Sequence, residues 1–116
     1  MAITGVHTLL YSSEPEALRA VLADVFGWEH VDDGQDKGWL IFRLPPGEIG
    51  VHPGESPSHE VSLMCDDVDA TIAELADKGV EFAGDPIDEG WGIAVRMVLP
   101  GGVEMLLYQP RHNTAV

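Results

Sequence analysis

The chain is short of cysteine, of basic residues and of long apolar runs, and each shortage excludes something. A single cysteine, Cys65, rules out an intramolecular disulfide. It sits in an apolar, strand-like run where a reduced, buried thiol is expected, and a reducing, cytoplasmic setting fits it. Lys and Arg number 6 against 20 Asp and Glu, for a formal net charge of −14. Such a surface repels a phosphate backbone or an anionic bilayer, so neither nucleic acid nor a membrane is an expected partner. The plain reading of this charge is a solvated acidic surface that keeps the protein soluble. The sharper one is a field that attracts a cationic ligand. No apolar run approaches the roughly 18 residues that would span a bilayer. The start, Met1 to Gly5, has no basic stretch and is expected to lead straight into a strand rather than to act as a signal peptide.

What is there belongs to a folded globule. The 116 residues are 45% hydrophobic and include three tryptophans, enough for one domain around one core. Val6 to Tyr11 reads as a strand. Ser13 and Glu16 have capping-box spacing around Pro15, and Leu18, Val21, Leu22, Val25 and Phe26 mark the inner face of a helix that Gly27 ends. A second strand-like run, His59 to Cys65, leads through Asp66 or Asp67 as cap into a helix with Ile72, Leu75 and Ala76 inward and Gly79 as its stop.

The two segments superpose. With His7 set on Glu60, Leu10 falls on Leu63, Ala17 on Ala70, Ala20 on Ala73 and Leu22 on Leu75. After one residue of slippage Gly27 meets Gly79, and Gly38-Trp39 meets Gly90-Trp91; a small insertion later, Arg43 meets Arg96. Each half closes with two apolar strands around a Pro-Gly turn: Trp39–Leu44 with Ile49–His52, and Ile93–Leu99 with Val103–Gln109. The expected organisation is a single domain over 1–116, with a first module at about 4–54 and a second at about 58–110.

A strand, a helix and three strands, twice over, resembles the vicinal oxygen chelate superfamily, which contains glyoxalases, bleomycin resistance proteins and extradiol dioxygenases. The most similar stretches are "EVSLMCDDVDATIAELADKG" from Glu60 and the closing "LPGGVEMLLYQP". The resemblance implies an α+β fold in which two βαβββ modules curl a mixed sheet into a half-closed cup, with the helices outside. It also implies a small molecule in the cup, usually at a divalent metal (Zn, Ni, Mn or Fe), and a homodimer.

Strand parity decides which side chains meet in that cup. The more uniformly apolar faces should cover the helices, which leaves His7 and Glu60 pointing inward, where the resemblance places metal ligands. The other two ligands should lie four residues before a closing proline, but Ile49 and Leu106 stand there. Glu104 is one pleat from Leu106 on the same face.

Two readings follow. In one, His7, Glu60 and Glu104 hold a metal, with Glu60 and Glu104 as candidate catalytic groups in a lyase, isomerase or dioxygenase reaction. In the other, the cup is metal-free and sequesters a small, cationic aromatic compound, as bleomycin resistance proteins do. Tyr11, Trp39, Met64, Trp91 and Tyr108 would then form its walls, with Arg96 lining it and Glu60 and Glu104 as counter-charge. A structural dimer with a vestigial cup is a third possibility. His52 and His59 are expected to face away from the cup, His30 and His112 to lie in polar loop and tail segments, and Arg43 and Arg96 to pair with surface acids.

Overall fold

Alternating apolar residues on either side of a Pro-Gly-Gly turn make the second half of the chain a sheet. The computed structural model describes residues 6–32, 34 and 40–116. Strands β4 (Glu81–Asp88), β5 (Gly92–Leu99) and β6 (Val103–Pro110) form an antiparallel meander, and the short β3 (Ser62–Met64) lies parallel to β6. The order across this mixed sheet is β3-β6-β5-β4. Between β3 and β4 runs helix α2 (Val68–Asp77), so the unit from β3 to β6 is one βαβββ module.

Local chemistry marks the ends of α2. Asp67 caps it by accepting the Ala70 N–H at 3.0 Å, and Gln109 on β6 accepts the Val68 N–H at 3.1 Å, tying the helix to the sheet. Gly79 takes φ 93° just past its end. Of the three residues expected inward, Ile72 and Leu75 pack on the core and Ala76 is exposed, because its short side chain lies toward the margin of the helix.

One face of the sheet is covered and the other is open. Val95, Met97, Leu99, Met105 and Leu107 are buried on the covered face with Val68 and Val80, and Met97 is 0% exposed. Leu18 joins this core from helix α1 (Pro15–Ala20), which runs on as a π-helical turn from Val21 to Val25. The wider turn is visible in the Phe26 N–H bond to the Val21 carbonyl, 3.0 Å. Val21, Val25 and Phe26 pack on the same core, so the first module contributes its helix to the second module's sheet.

The start of α1 differs from the expected capping box. Glu14 is its N-cap residue and no side chain caps it; the Glu14 N–H instead donates to Ser12 Oγ at 3.0 Å. Ser12 and Glu14 are recruited elsewhere, by the β5–β6 turn. Ser12 Oγ donates to the Pro100 carbonyl at 2.8 Å, and Glu14 accepts the Gly101 N–H at 2.9 Å. Gly101 is required there: φ is 82°, and a Cβ would fall 1.9 Å from Ser12 Oγ.

The rest of the first module is sparse. β1 (His30–Asp32) and β2 (Leu40–Phe42) form a two-stranded antiparallel ribbon. The strands expected at Val6–Tyr11 and Ile49–His52 are present as chain outside any ladder; Val6, Leu9, Tyr11, Ile49 and Val51 are exposed, and Leu10 is half-buried against the core. Both runs are short, and a strand acquires ladder bonds only where a partner edge is offered. Trp39 lies outside the described residues. No helix among the described residues is long and apolar enough to cross a membrane.

Candidate functional site: the open face of the sheet

The register places the second module's site candidates on one face. Ile87, Ala94, Tyr108 and Met64 form a row across β4, β5, β6 and β3; Ala83, Arg96, Leu106 and Ser62 form the next; Glu81, Val98 and Glu104 the third. Met64, Arg96, Glu104 and Tyr108 therefore share the open face, on the parity opposite the buried Val95, Met97, Met105 and Leu107. Glu60 is exposed, two residues before Ser62 at the acidic end of this face.

An aromatic corner stands at the other end. Trp91 meets Tyr108 edge-on, ring centroids 5.2 Å apart at 80°, and His112 lies against Tyr108 at 5.8 Å. The backbone builds this corner. The Trp91 carbonyl accepts the N–H groups of Arg111 and His112 at 2.8 and 3.2 Å, and this turns the C-terminal tail back over the sheet end. Arg111 also pairs with Asp88, whose carboxyl is held below its usual range first by the Gly90 N–H and then by Arg111.

The hydrogen bonds fix which tautomer the neutral His112 imidazole takes. His112 Nδ1 lies 2.7 Å from the Asn113 carbonyl, which can only accept, so Nδ1 carries the proton. Nε2 is left to accept from the Tyr108 hydroxyl at 3.0 Å. Burial pushes the Tyr108 phenol up from its ordinary value, and the negative charge of Glu48 adds to this. Tyr108 thus stays a neutral donor beside a carboxylate.

Gly92 makes room for the Tyr108 ring. A Cβ there would come within 2.9 Å of Tyr108 Cδ2 and within 2.9 Å of the Gln109 carbonyl oxygen. Gly92→Ala is expected to lower Tm by several degrees and to change the near-ultraviolet circular dichroism of the corner; an unchanged spectrum would contradict the contact.

The metal-ligand set expected from sequence does not assemble within the chain. Among the described residues no group of three or more His, Cys, Asp or Glu side chains is placed to hold a metal ion. His7 lies on the unpaired Val6–Tyr11 segment and is exposed, so no ladder sets it opposite Glu60. Glu104 is engaged by Arg96 at 3.7 Å, an exposed pair. With Ile49 and Leu106 at the remaining positions, these donors do not fit a divalent ion. Tyr11 is exposed on the same segment as His7 and stands apart from the corner's ring contacts. Arg43, the repeat mate of Arg96, also pairs at the surface, with Glu29 at 3.8 Å.

Sequence reasoning missed Glu48 and His112. His112 follows Tyr108 by four residues but reads as tail. Glu48 reaches the corner from far along the chain, where its carboxylate accepts the Ala115 N–H at 2.8 Å.

Cys65 is half-buried beside the site, its Sγ donating to the Tyr108 carbonyl at 3.5 Å. Burial pushes its thiol above the ordinary 9.0, with Asp66 and Asp67 adding and Thr71 opposing. The thiolate is the reactive form, so at pH 8 iodoacetamide should label Cys65 several-fold more slowly than free cysteine. Labelling at the free rate would contradict the burial.

Comparison with known proteins fits this architecture. A family model described as the Glyoxalase/Bleomycin resistance protein/Dioxygenase superfamily matches residues 5–103. TnmS3, an antibiotic binding protein from Streptomyces sp. CB03234, superposes with a TM-score of 0.67 at 27% identity, covering 95% of this chain and 98% of its own. A superfamily member from Sphaerobacter thermophilus DSM 20745 gives 0.65 at 25% identity, covering 94% and 99%. An integron cassette protein from the mobile metagenome of V. cholerae shares the fold at 0.62 and 15% identity, covering 94% and 97%. No curated protein matches the sequence. The chain belongs to the glyoxalase/bleomycin resistance protein/dioxygenase superfamily.

Proposed function

We propose that this protein binds a small, planar, cationic compound on the open face of its sheet and sequesters it without a metal. The carrying observation is the Trp91–Tyr108–His112 corner, flanked by Met64 on the same face and by the Glu48 carboxylate. Ring faces and edges offer stacking and cation–π contacts to a flat cation, and the thioether of Met64 adapts to its outline. Glu48 supplies counter-charge beside the rings, and the net charge of −14 raises the local concentration of any cation. The likeness to an antibiotic binding protein supports the same reading. The metal-dependent lyase, isomerase or dioxygenase alternative has less support, since its ligands do not gather in the chain.

Calorimetric titration with the planar cation proflavine tests this, with a planar anionic dye of similar size as control. Proflavine should bind at micromolar levels and weaken as salt is raised, while the anion should not bind. Equal binding of both dyes, or of neither, would overturn the proposal.

A further inference from the structure

A chain with 6 basic residues against 20 acidic ones places a base on its ligand face. Among the described residues, Arg96 is the one that the strand register puts there. On β5 it lies between Ala83 of β4 and Leu106 of β6, so its immediate neighbours in the row are apolar. One adjoining row contains Tyr108 and Met64, and the other contains Glu81 and Glu104. Two residues along a strand span about 7 Å, so Arg96 stands one step from the rings. Glu104 stands two steps away, about 13 Å.

The pair with Glu104 does not occupy the Arg96 guanidinium. Its approach is 3.7 Å, from Nε to Oε1, which is longer than a hydrogen bond, and both side chains are about half exposed. An exposed pair of this kind contributes little to stability. Its geometry leaves the planar fork of donors for another carboxylate. Glu104 is also farther from the rings than the Debye length of about 8 Å at physiological salt, so its charge is screened from a cation there. Arg96 is within that length. For a plain cation in the corner it is a repulsive neighbour; for a ligand that brings its own anion it is a contact.

We infer that the ligand is a zwitterion, a planar cation whose rings sit in the aromatic corner and whose carboxylate, about 7 Å away, takes both prongs of the Arg96 guanidinium. This ligand class presupposes the planar-cation reading and adds a second charge to it. Arg96 then determines specificity, and Glu104 is the competitor that the ligand's carboxylate displaces.

Titration of the full chain with rhodamine B, a planar cation with a pendant carboxylate, and with its ethyl ester tests this. The dyes share one ring system, and the ester alone has a net positive charge, so the field of the −14 chain favours the ester. Recognition by Arg96 requires the reverse order: rhodamine B should bind tenfold or more tighter, as one charge-assisted contact supplies. Arg96→Gln, at an exposed position outside the core, should abolish that preference and leave the ester bound at least as tightly. Glu104→Gln should tighten rhodamine B several-fold and leave the ester unchanged, which the loss of a merely structural ion pair would not do. An ester that matches rhodamine B, an Arg96→Gln variant that keeps the preference, or failure of both dyes to bind would overturn the zwitterion. Proflavine binding, read separately, decides the planar-cation reading beneath it.

Discussion

Met97→Ala should lower the unfolding free energy by about 2–5 kcal/mol, the usual range for truncating a buried methionine. For a domain of this size that is a fall in Tm of roughly 10 °C or more. Met97 is 0% exposed on β5, in a core that also contains Leu18 of α1 and Val68 of α2 together with Val95, Leu99, Met105 and Leu107. Truncation leaves a void that α1 and α2 cannot both close, since α1 is held at the β5–β6 turn by Ser12 and Glu14 and α2 is tied to β6 by Gln109. Ile49→Ala is the contrast: Ile49 is 92% exposed, and in the monomer its loss should cost well under about 1 kcal/mol. Thermal unfolding of both variants measures the difference. Equal losses would mean that the core lies elsewhere.

The second large effect concerns the aromatic corner. Tyr108→Leu should weaken proflavine binding tenfold or more while leaving the fold intact. The substitution removes an aromatic surface and the donor to His112 Nε2, but leucine fills much of the same space between Trp91 and Met64. Trp91→Leu should have a similar effect. Glu48→Gln should lose a smaller factor, because an exposed carboxylate acts through screened solvent. Titration calorimetry on the three variants ranks them. A Tyr108→Leu protein that binds as tightly as wild type would move the site away from this corner.

The second module was largely legible from local pattern. Its helix announces itself through Asp67, the Ile72 and Leu75 spacing and Gly79, and the final hairpin through Pro100-Gly101-Gly102 between two alternating runs. Parity put Met64, Glu104 and Tyr108 on one face, because the side chains of a strand alternate wherever the ladder forms; Arg96 joins them through the β5–β6 register. The first module was less legible. Val6–Tyr11 has a strand's composition, yet composition does not say which edge will accept it, and in a single chain none does. The expected His7–Glu60–Glu104 constellation depended on that pairing. Glu48 and His112 were hidden for a different reason: the tail turns at the Trp91 carbonyl and draws in residues from far along the chain, and no period or spacing records such a contact.

Shift mapping of isotope-labelled protein during a proflavine titration tests the central claim most directly. The account predicts perturbations at the Trp91 indole N–H, the Met64 methyl and the Tyr108 ring, with the Leu18 and Leu22 methyls of the first helical segment unmoved. Perturbations confined to the surface hollows beside that segment, around Glu16, Arg19 and Asp24, would contradict it.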